Sequence, residues 1–193
     1  LIKDALRGNY STYRVFVELG CRILSRDHCP HFTVAYQEVV RRMRPNLLLL
    51  IDRDPGMLLG GSEVEEYATK VTAFLSSYAD LVVIDAQLPF IEMRRSPHVS
   101  IVRKLSMNWT DWSDMQMQMV DMEAGRRAEM AVYGQITEQN VVVNDVARQL
   151  CEADVCLQYN KTTLRPFYTD SSGHLSQPGL DRLRRGYEHF INR

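Results

Sequence analysis

The sequence lacks any hydrophobic run long enough to cross a membrane and any excess of charge of one sign. No stretch approaches the roughly 18 consecutive apolar residues of a membrane-spanning helix, and no signal peptide is visible. The 23 basic and 24 acidic side chains nearly cancel, so no basic surface predicts binding to nucleic acid or to an anionic membrane. We therefore expect a soluble segment with no nucleic-acid partner.

Patterns that bind metals are also missing. The four cysteines form two close pairs, Cys21 with Cys29 and Cys151 with Cys156, and neither pair has the spacing of zinc ligands. The sequence thus predicts no metal site and no cofactor. It leaves open whether the cysteines are reduced core thiols or, in an oxidising compartment, disulfides in one of the three connectivities that four cysteines allow.

Three N-x-S/T sequons favour the oxidising compartment. They begin at Asn9, Asn108 and Asn160, whereas chance would give roughly one in a chain of this length. We take these three asparagines as candidate glycosylation sites. A lumenal or extracellular location is the corresponding expectation.

The pattern of apolar residues predicts an α/β fold in a single domain. A chain of 193 residues with 45% hydrophobic content suffices for one core, and no internal repeat is present. Apolar strands are predicted at 13–19, 46–51, 81–86 and 140–146, and helices at 31–44, 62–78 and from 176 onward. Their alternation implies right-handed crossovers and a parallel sheet covered on both sides.

Several finer expectations concern burial. The strand at 46–51 is predicted to be central and buried on both faces. Residues 107–135 favour a helix, although Met115, Met117 and Met119 alternate with the period of a strand, and these methionines are expected to fill the core. The predicted buried helix faces are Phe32, Ala35, Val39 and Met43 in one helix, and Leu180, Leu183, Tyr187 and Phe190 in the last.

The segment Asp170 to Gly179, DSSGHLSQPG, places a histidine just ahead of a helix with an acid a few residues upstream. This arrangement suits a catalytic base, His174, and a partner that orients its ring. Taken alone, the local chemistry favours a solvent-exposed loop histidine near a helix-capping Ser176.

A wider resemblance favours the catalytic interpretation. The string PFYTDSSGHLSQPGLDRL is similar to the final block of SGNH hydrolase domains, and most of all to the SGNH domain fused behind the membrane part of acyltransferase-three family proteins. In that family a hydrophobic strand, paired cysteines, a Tyr-rich segment and a His-Leu-Ser block follow in the order seen here. The pieces GNYSTYRVFVELGC and CPHFTVAYQEVVRRMRPNLLLLIDR also resemble it, so the resemblance covers nearly the whole chain.

The resemblance implies a flavodoxin-like three-layer α/β/α fold, with residues 1–193 as one SGNH-like domain, and it implies roles for particular residues. His174 takes the position of the base. The family places its acid three residues before the histidine, where Ser171 stands, so the acid is assigned to Asp170 one position earlier. Gly20 matches the first oxyanion donor, and Arg53 is the remaining candidate for the second, because Ile51-Asp52-Arg53 replaces the family's Gly-x-Asn-Asp string.

The nucleophile of the family, in a Gly-Asp-Ser or Gly-Asn-Ser block, has no counterpart in the sequence. Ser11 and Ser62 lie in the wrong context. The opening LIKDALRG resembles the helix that follows the block and has no cap before it. We therefore expect the first strand and the serine immediately ahead of Leu1, and negligible turnover without them.

By resemblance, the expected function is O-acyl transfer, with acetyl the expected group, through a Ser-His-Asp mechanism. The implied partners are an acyl donor, a hydroxyl-bearing acceptor that is a glycan or a lipid, and an N-terminal membrane acyltransferase domain in the parent protein. The parent would be anchored in the membrane, with this segment on the lumenal or extracellular side. The alternatives are a catalytically dead SGNH fold that binds the acceptor and a fragment of a free-standing esterase.

Overall fold

The structure is a computed structural model that describes residues 23–24, 30–51, 61–86, 96–169 and 174–191. The chain divides into two compact units. The parallel-sheet unit comprises residues 10–87 and 125–145, and the C-terminal unit comprises residues 1–9, 88–124 and 146–193. That the whole chain acts as a single SGNH-like domain stays a prediction.

The described elements alternate between helices and short strands. In chain order they are α1 (Pro30–Met43), β1 (Leu47–Leu50), α2 (Ser62–Ser76), β2 (Leu81–Asp85), α3 (Pro97–Ser106), β3 (Gln116–Gln118), α4 (Met119–Gly125), α5 (Arg127–Tyr133), β4 (Val141–Asn144), β5 (Cys151–Glu152), β6 (Val155–Leu157) and α6 (Gln177–Ile191). Single turns of 3₁₀ helix occupy Ser113–Met115 and Arg148–Leu150. The predicted α/β class is confirmed, and the elements are consistent with a three-layer α/β/α fold.

The described residues of the parallel-sheet unit include three parallel strands that pair in the order β1-β2-β4. All three strands lie within predicted strands, because each is a short apolar run bounded by polar or turn-forming residues. The predicted strand at 13–19 lies outside the described residues. Val82, Val83 and Ile84 of β2 are almost wholly buried, whereas Leu47, Leu48 and Leu49 of β1 are half-buried. The more deeply buried strand is therefore β2, and not β1 as expected.

The buried face of helix α1 agrees only in part with the predicted one, since Phe32 is buried and Val39 is half-buried. Phe32, Tyr36 and Val40 are buried, while Ala35 and Met43 are exposed. The buried residues follow one another at intervals of four, and the rings of Phe32 and Tyr36 lie 5.7 Å apart. Burying the tyrosine ring removes more apolar surface from water than burying an alanine, which decides the rotation of the helix.

The core of the parallel-sheet unit joins its helices to its sheet. Its buried members come from four elements: Phe32, Tyr36 and Val40 of α1, Ala68, Val71 and Leu75 of α2, Val82 and Ile84 of β2, and Val132 and Tyr133 of α5.

The C-terminal unit contains a small antiparallel sheet in the order β3-β6-β5. The prediction of one helix over 107–135 is wrong in its first half, where the alternating methionines form a 3₁₀ turn and β3, and right where α4 and α5 follow. Pairing of β3 with β6 is a long-range contact that overrides the helix propensity of methionine. Of the three methionines expected in the core, Met115 is buried. Met117 and Met119 are half-buried and pack against a buried cluster that includes Met122.

Two helices of the C-terminal unit have clear sequence signals. α3 was not predicted, although Ser96 caps its first turn by accepting a hydrogen bond from the Val99 amide and Pro97 occupies its first position. α6 confirms its predicted face, with Leu183 and Tyr187 buried and Leu180 and Phe190 half-buried.

Across the described residues, no helix combines the length and the apolar character that a membrane crossing requires.

Candidate functional site

Backbone hydrogen bonds pair the segment that ends at Thr169 with the segment that begins at His174. The Thr169 amide donates to the His174 carbonyl at 2.7 Å, and the Ser176 amide donates to the Phe167 carbonyl at 2.9 Å. Between these bonds, Tyr168 and Leu175 form an antiparallel bridge. Residues 167–169 and 174–176 are therefore the two sides of a short stem, which we call the His174 stem.

Ser176 joins the His174 stem to α6. Its hydroxyl accepts a hydrogen bond from the Gly179 amide at 3.3 Å, which caps the helix as expected, and donates to the Pro166 carbonyl. A Cβ at Gly179 would lie 2.2 Å from the Phe167 carbonyl oxygen. Only glycine allows the first turn of α6 to approach the stem this closely.

The stem is buried on one side and open on the other. Phe167 and Tyr168 are buried, and burial raises the pKa of the Tyr168 hydroxyl to about 12. His174 itself is exposed. The stem thus fixes the backbone of His174 while leaving this residue accessible, as a proton-transfer group requires.

The other predicted catalytic and oxyanion residues, Asp170, Gly20 and Arg53, lie outside the described residues, as do Ser171 to Gly173. Their roles stay predictions.

Cys151 and Cys156 form a disulfide between paired residues of β5 and β6. This finding excludes reduced thiols at these two positions and any cross pairing with Cys21 or Cys29, which lie outside the described residues. The Arg182 guanidinium of α6 donates to the carbonyls of Gln149 and Cys151 at 2.9 and 3.4 Å. The helix that follows His174 is therefore tied to the disulfide-bonded strands.

Two of the three sequons lie in the described part of the chain, and their asparagines differ in exposure and in hydrogen bonding. Asn108 is exposed and has a positive φ of 52°. Asn160 is half-buried, and its side-chain oxygen accepts hydrogen bonds from the amides of Thr162 and Thr163, each at 2.9 Å. Asn9 lies outside the described residues.

Sequence reasoning missed a buried polar pair at the carboxyl end of the parallel sheet. The Asn144 side-chain amide donates to the Asp85 carboxylate at 2.9 Å, with only 3% and 7% of the two residues exposed. In open α/β sheets, ligands bind at the carboxyl ends of the strands. The available signal was a polar residue at the end of each apolar run, LVVID and VVVN.

A second buried network follows the same edge. Arg126 donates to the Asp145 carboxylate at 2.8 Å and to Glu129 at 3.4 Å, and the Tyr133 hydroxyl donates to Glu129 at 3.1 Å. Arg126 is 2% exposed and Glu129 is fully buried. Because Asp145 directly follows β4, the network connects α5 to the end of the sheet. Charges three residues apart on a helix usually face solvent, so the sequence did not indicate its burial.

In the part of the chain that the structure describes, no group of three or more His, Cys, Asp or Glu side chains could hold a metal ion.

A family model described as the SGNH domain fused to AT3 domains matches residues 1–188. No curated protein and no solved structure matches the chain.

Proposed function

Since the chain belongs to the family of SGNH domains fused to AT3 domains, we propose that it serves O-acyl transfer to a hydroxyl group. The donor is an acyl compound, with acetyl the expected group, and the acceptor is a glycan or a lipid. An N-terminal membrane acyltransferase domain is the partner within the parent protein. This segment lies on the lumenal or extracellular side, where the Cys151–Cys156 disulfide is stable.

In the proposed mechanism His174 is the base. Its Nε2 removes the proton of a serine hydroxyl supplied by residues ahead of Leu1, while the serine oxygen attacks the acyl carbonyl carbon. The proton then passes to the leaving group, and an acyl-enzyme remains. The acceptor hydroxyl repeats the attack on the acyl-enzyme, with His174 again taking its proton and returning it to the serine.

The remaining predicted residues stabilise charge in this mechanism. The Asp170 carboxylate accepts the Nδ1 proton of His174 and stabilises the imidazolium. The Gly20 amide and the Arg53 guanidinium donate to the oxygen of the tetrahedral intermediate.

The observation that carries the proposal is the His174 stem. Thr169 is hydrogen-bonded to the His174 carbonyl at 2.7 Å. Asp170 directly follows Thr169 in the sequence. A closed stem therefore supports the pairing of Asp170 with His174 despite its displacement from the usual spacing.

The direct test is labelling by a fluorophosphonate of the protein extended upstream of Leu1. Labelling should be lost in His174→Ala and retained in His98→Ala, because His98 is an exposed histidine on α3. Equal labelling of His174→Ala and wild type would refute the role of His174. Absence of labelling in the extended wild type would refute the enzyme.

The acid is tested separately. Asp170→Asn should slow labelling on the order of 10⁴-fold, the scale of losing the group that orients a catalytic histidine. Adding Ser171→Asp to that variant restores a carboxylate at the family's usual spacing and should recover part of the rate. No effect of Asp170→Asn would show that another group orients His174.

A second candidate is an SGNH fold that binds the acceptor without chemistry. It is favoured by Ile51-Asp52-Arg53, which lacks the family's asparagine, and by the lack of a Gly-Asp-Ser or Gly-Asn-Ser block in these 193 residues. The upstream coding sequence discriminates between the two, since a strand ending in such a block supports the enzyme. Upstream transmembrane helices would exclude the free-standing esterase.

A further inference from the structure

One side of α3 exposes apolar side chains. Val99, Val102 and Leu105 follow one another at intervals of three and are each about half exposed, whereas Pro97, Ile101 and Lys104 form the buried side of the helix. Met107 and Trp109, just after the helix, are equally exposed. These five exposed residues, Val99, Val102, Leu105, Met107 and Trp109, are called here the α3 apolar face. Contiguous exposed apolar surface usually has an occupant.

Asn108 lies in the chain between the last two residues of this face. It ends α3 in a Schellman motif, in which the Asn108 amide donates to the Leu105 carbonyl at 3.2 Å and the Trp109 amide donates to the Lys104 carbonyl at 2.9 Å. The motif requires a positive φ at residue 108, and the φ of Asn108 is 52°. Asparagine tolerates this conformation.

The geometry at the end of α3 accounts for the presence of asparagine at position 108 but not for the presence of threonine at position 110. A Schellman motif accepts glycine more readily than asparagine at residue 108, and it makes no demand on residue 110. Yet Asn108-Trp109-Thr110 is a sequon whose three residues are all exposed. The sequon is thus accessible, and Asn108 lies between the exposed apolar residues Met107 and Trp109 in the chain.

We propose that Asn108 carries an N-linked glycan whose first sugar packs on the α3 apolar face, an inference that rests on the lumenal or extracellular location proposed above. In the transfer, Asn108 Nδ2 forms a bond to the anomeric carbon of a lipid-pyrophosphate-linked oligosaccharide. The bond from that carbon to the pyrophosphate oxygen breaks, and Nδ2 gives up one proton. The C–H face of a sugar ring is apolar, so it covers apolar side chains while its hydroxyl groups remain in water.

The surroundings of Trp109 favour this packing. The Lys104 ammonium lies 5.2 Å from the centre of the Trp109 ring, and the Arg103 guanidinium carbon lies 5.6 Å from it. Such cation–π contacts hold the indole in place. Lys104 is in turn fixed by hydrogen bonding to the Asp111 carbonyl at 2.7 Å and by an ion pair with Asp114 at 2.6 Å.

Asn160 is the less suitable sequon. Its side-chain oxygen already accepts two backbone hydrogen bonds, and the residue is half-buried. Asn108 has neither restriction, since it is exposed at the end of a helix.

The experiment uses the full-length protein in cells with an N-glycosylating secretory pathway, analysed before and after enzymatic removal of N-glycans. Asn108→Gly keeps the positive φ and removes the sequon. Thr110→Ala keeps Asn108 and removes the sequon, and Thr110→Ser keeps both. Loss of one glycan-sized step on a gel is expected in the first two variants and not in the third.

A control sequon separates failure of this inference from failure of the proposed location. Gln135→Asn creates a sequon with Ile136 and Thr137 at an exposed turn. A glycan at position 135 but not at position 108 would overturn the inference and leave the proposed location intact. That result is expected if a membrane or the AT3 domain, and not a glycan, covers the α3 apolar face. No glycan at either position would overturn both.

Whether the glycan covers the α3 apolar face is tested by a separate measurement. Binding of a hydrophobic fluorescent dye to the folded protein should increase severalfold in Asn108→Gly and Thr110→Ala and stay at the wild-type level in Thr110→Ser. A glycan at Asn108 whose loss leaves dye binding unchanged would overturn the proposed packing.

Discussion

Asn144 donates its side-chain amide to the Asp85 carboxylate at 2.9 Å, and the two residues are the last register pair of the parallel strands β2 and β4. Both are almost fully buried. A buried carboxylate requires hydrogen-bond donors, so this pair stabilises the sheet at the edge where ligands bind in such folds.

Replacing the donor of this pair should destabilise the protein. Asn144→Leu has a similar volume but leaves the buried Asp85 carboxylate without the amide, at an expected cost of about 1–3 kcal/mol in the free energy of unfolding. The measurement is urea denaturation followed by circular dichroism.

A matched control lies elsewhere in the same unit. Asn46 donates to the Asp80 carboxylate at 2.7 Å, but both residues are exposed. Asn46→Leu should therefore change stability by no more than about 0.5 kcal/mol. Similar losses in the two variants would contradict a specific role for burial.

Breaking the buried network around Arg126 should destabilise the protein more strongly. Arg126→Met removes the cation beside Glu129, whose carboxylate is fully buried, at an expected cost of about 3–5 kcal/mol. Arg148→Met removes an ion pair between exposed residues at 3.2 Å and should cost no more than about 1 kcal/mol. Adding Glu129→Gln to Arg126→Met should recover part of the loss, because the neutral side chain is less costly to bury. A further loss in the double variant would contradict this account.

The strands were predictable because each is a short apolar run with clear limits, as in LLLL between Asn46 and Ile51-Asp52. The buried face of α1 was not predictable in the same way, because tyrosine is compatible with either side of a helix. Tertiary packing placed Tyr36 inside. The sequence also did not predict the strand β3, for a related reason. Its partner β6 lies some forty residues away in the sequence, and no local pattern encodes that pairing.

In the candidate site, too, some features could be predicted from the sequence and others could not. DSSGHLSQPG predicted the loop position of His174 and the capping role of Ser176, since both depend on neighbours in the sequence. The contact of Gly179 with the Phe167 carbonyl depends on how two segments approach each other. The Asp85–Asn144 pair depends on which strands are adjacent, which the sequence does not state.

The titration of Tyr168 should make the protein sensitive to alkali. Burial raises the pKa of this hydroxyl from 10.0 to about 12, so the folded state holds the proton more tightly than the unfolded state. The resulting stability is fully present below pH 10 and is lost as the pH rises to 12. Urea denaturation across this window should show a decline that is smaller in Tyr168→Phe. An identical decline in the variant would mean that other groups are responsible.

Gly179→Ala should disturb the His174 stem although alanine is the better helix former. The added Cβ would lie 2.2 Å from the Phe167 carbonyl oxygen, and relieving that overlap should cost about 1–3 kcal/mol in the free energy of unfolding. Gly125→Ala is the control, because Gly125 also lies in a helix and has no atom within 4 Å of an added Cβ. It should be neutral or should stabilise the protein by up to about 1 kcal/mol. If the stem positions His174, Gly179→Ala should also shift the NMR signals of the His174 ring under folded conditions, whereas Gly125→Ala should leave them in place. Unchanged signals in a destabilised Gly179→Ala would show that α6 contributes to stability without positioning the histidine.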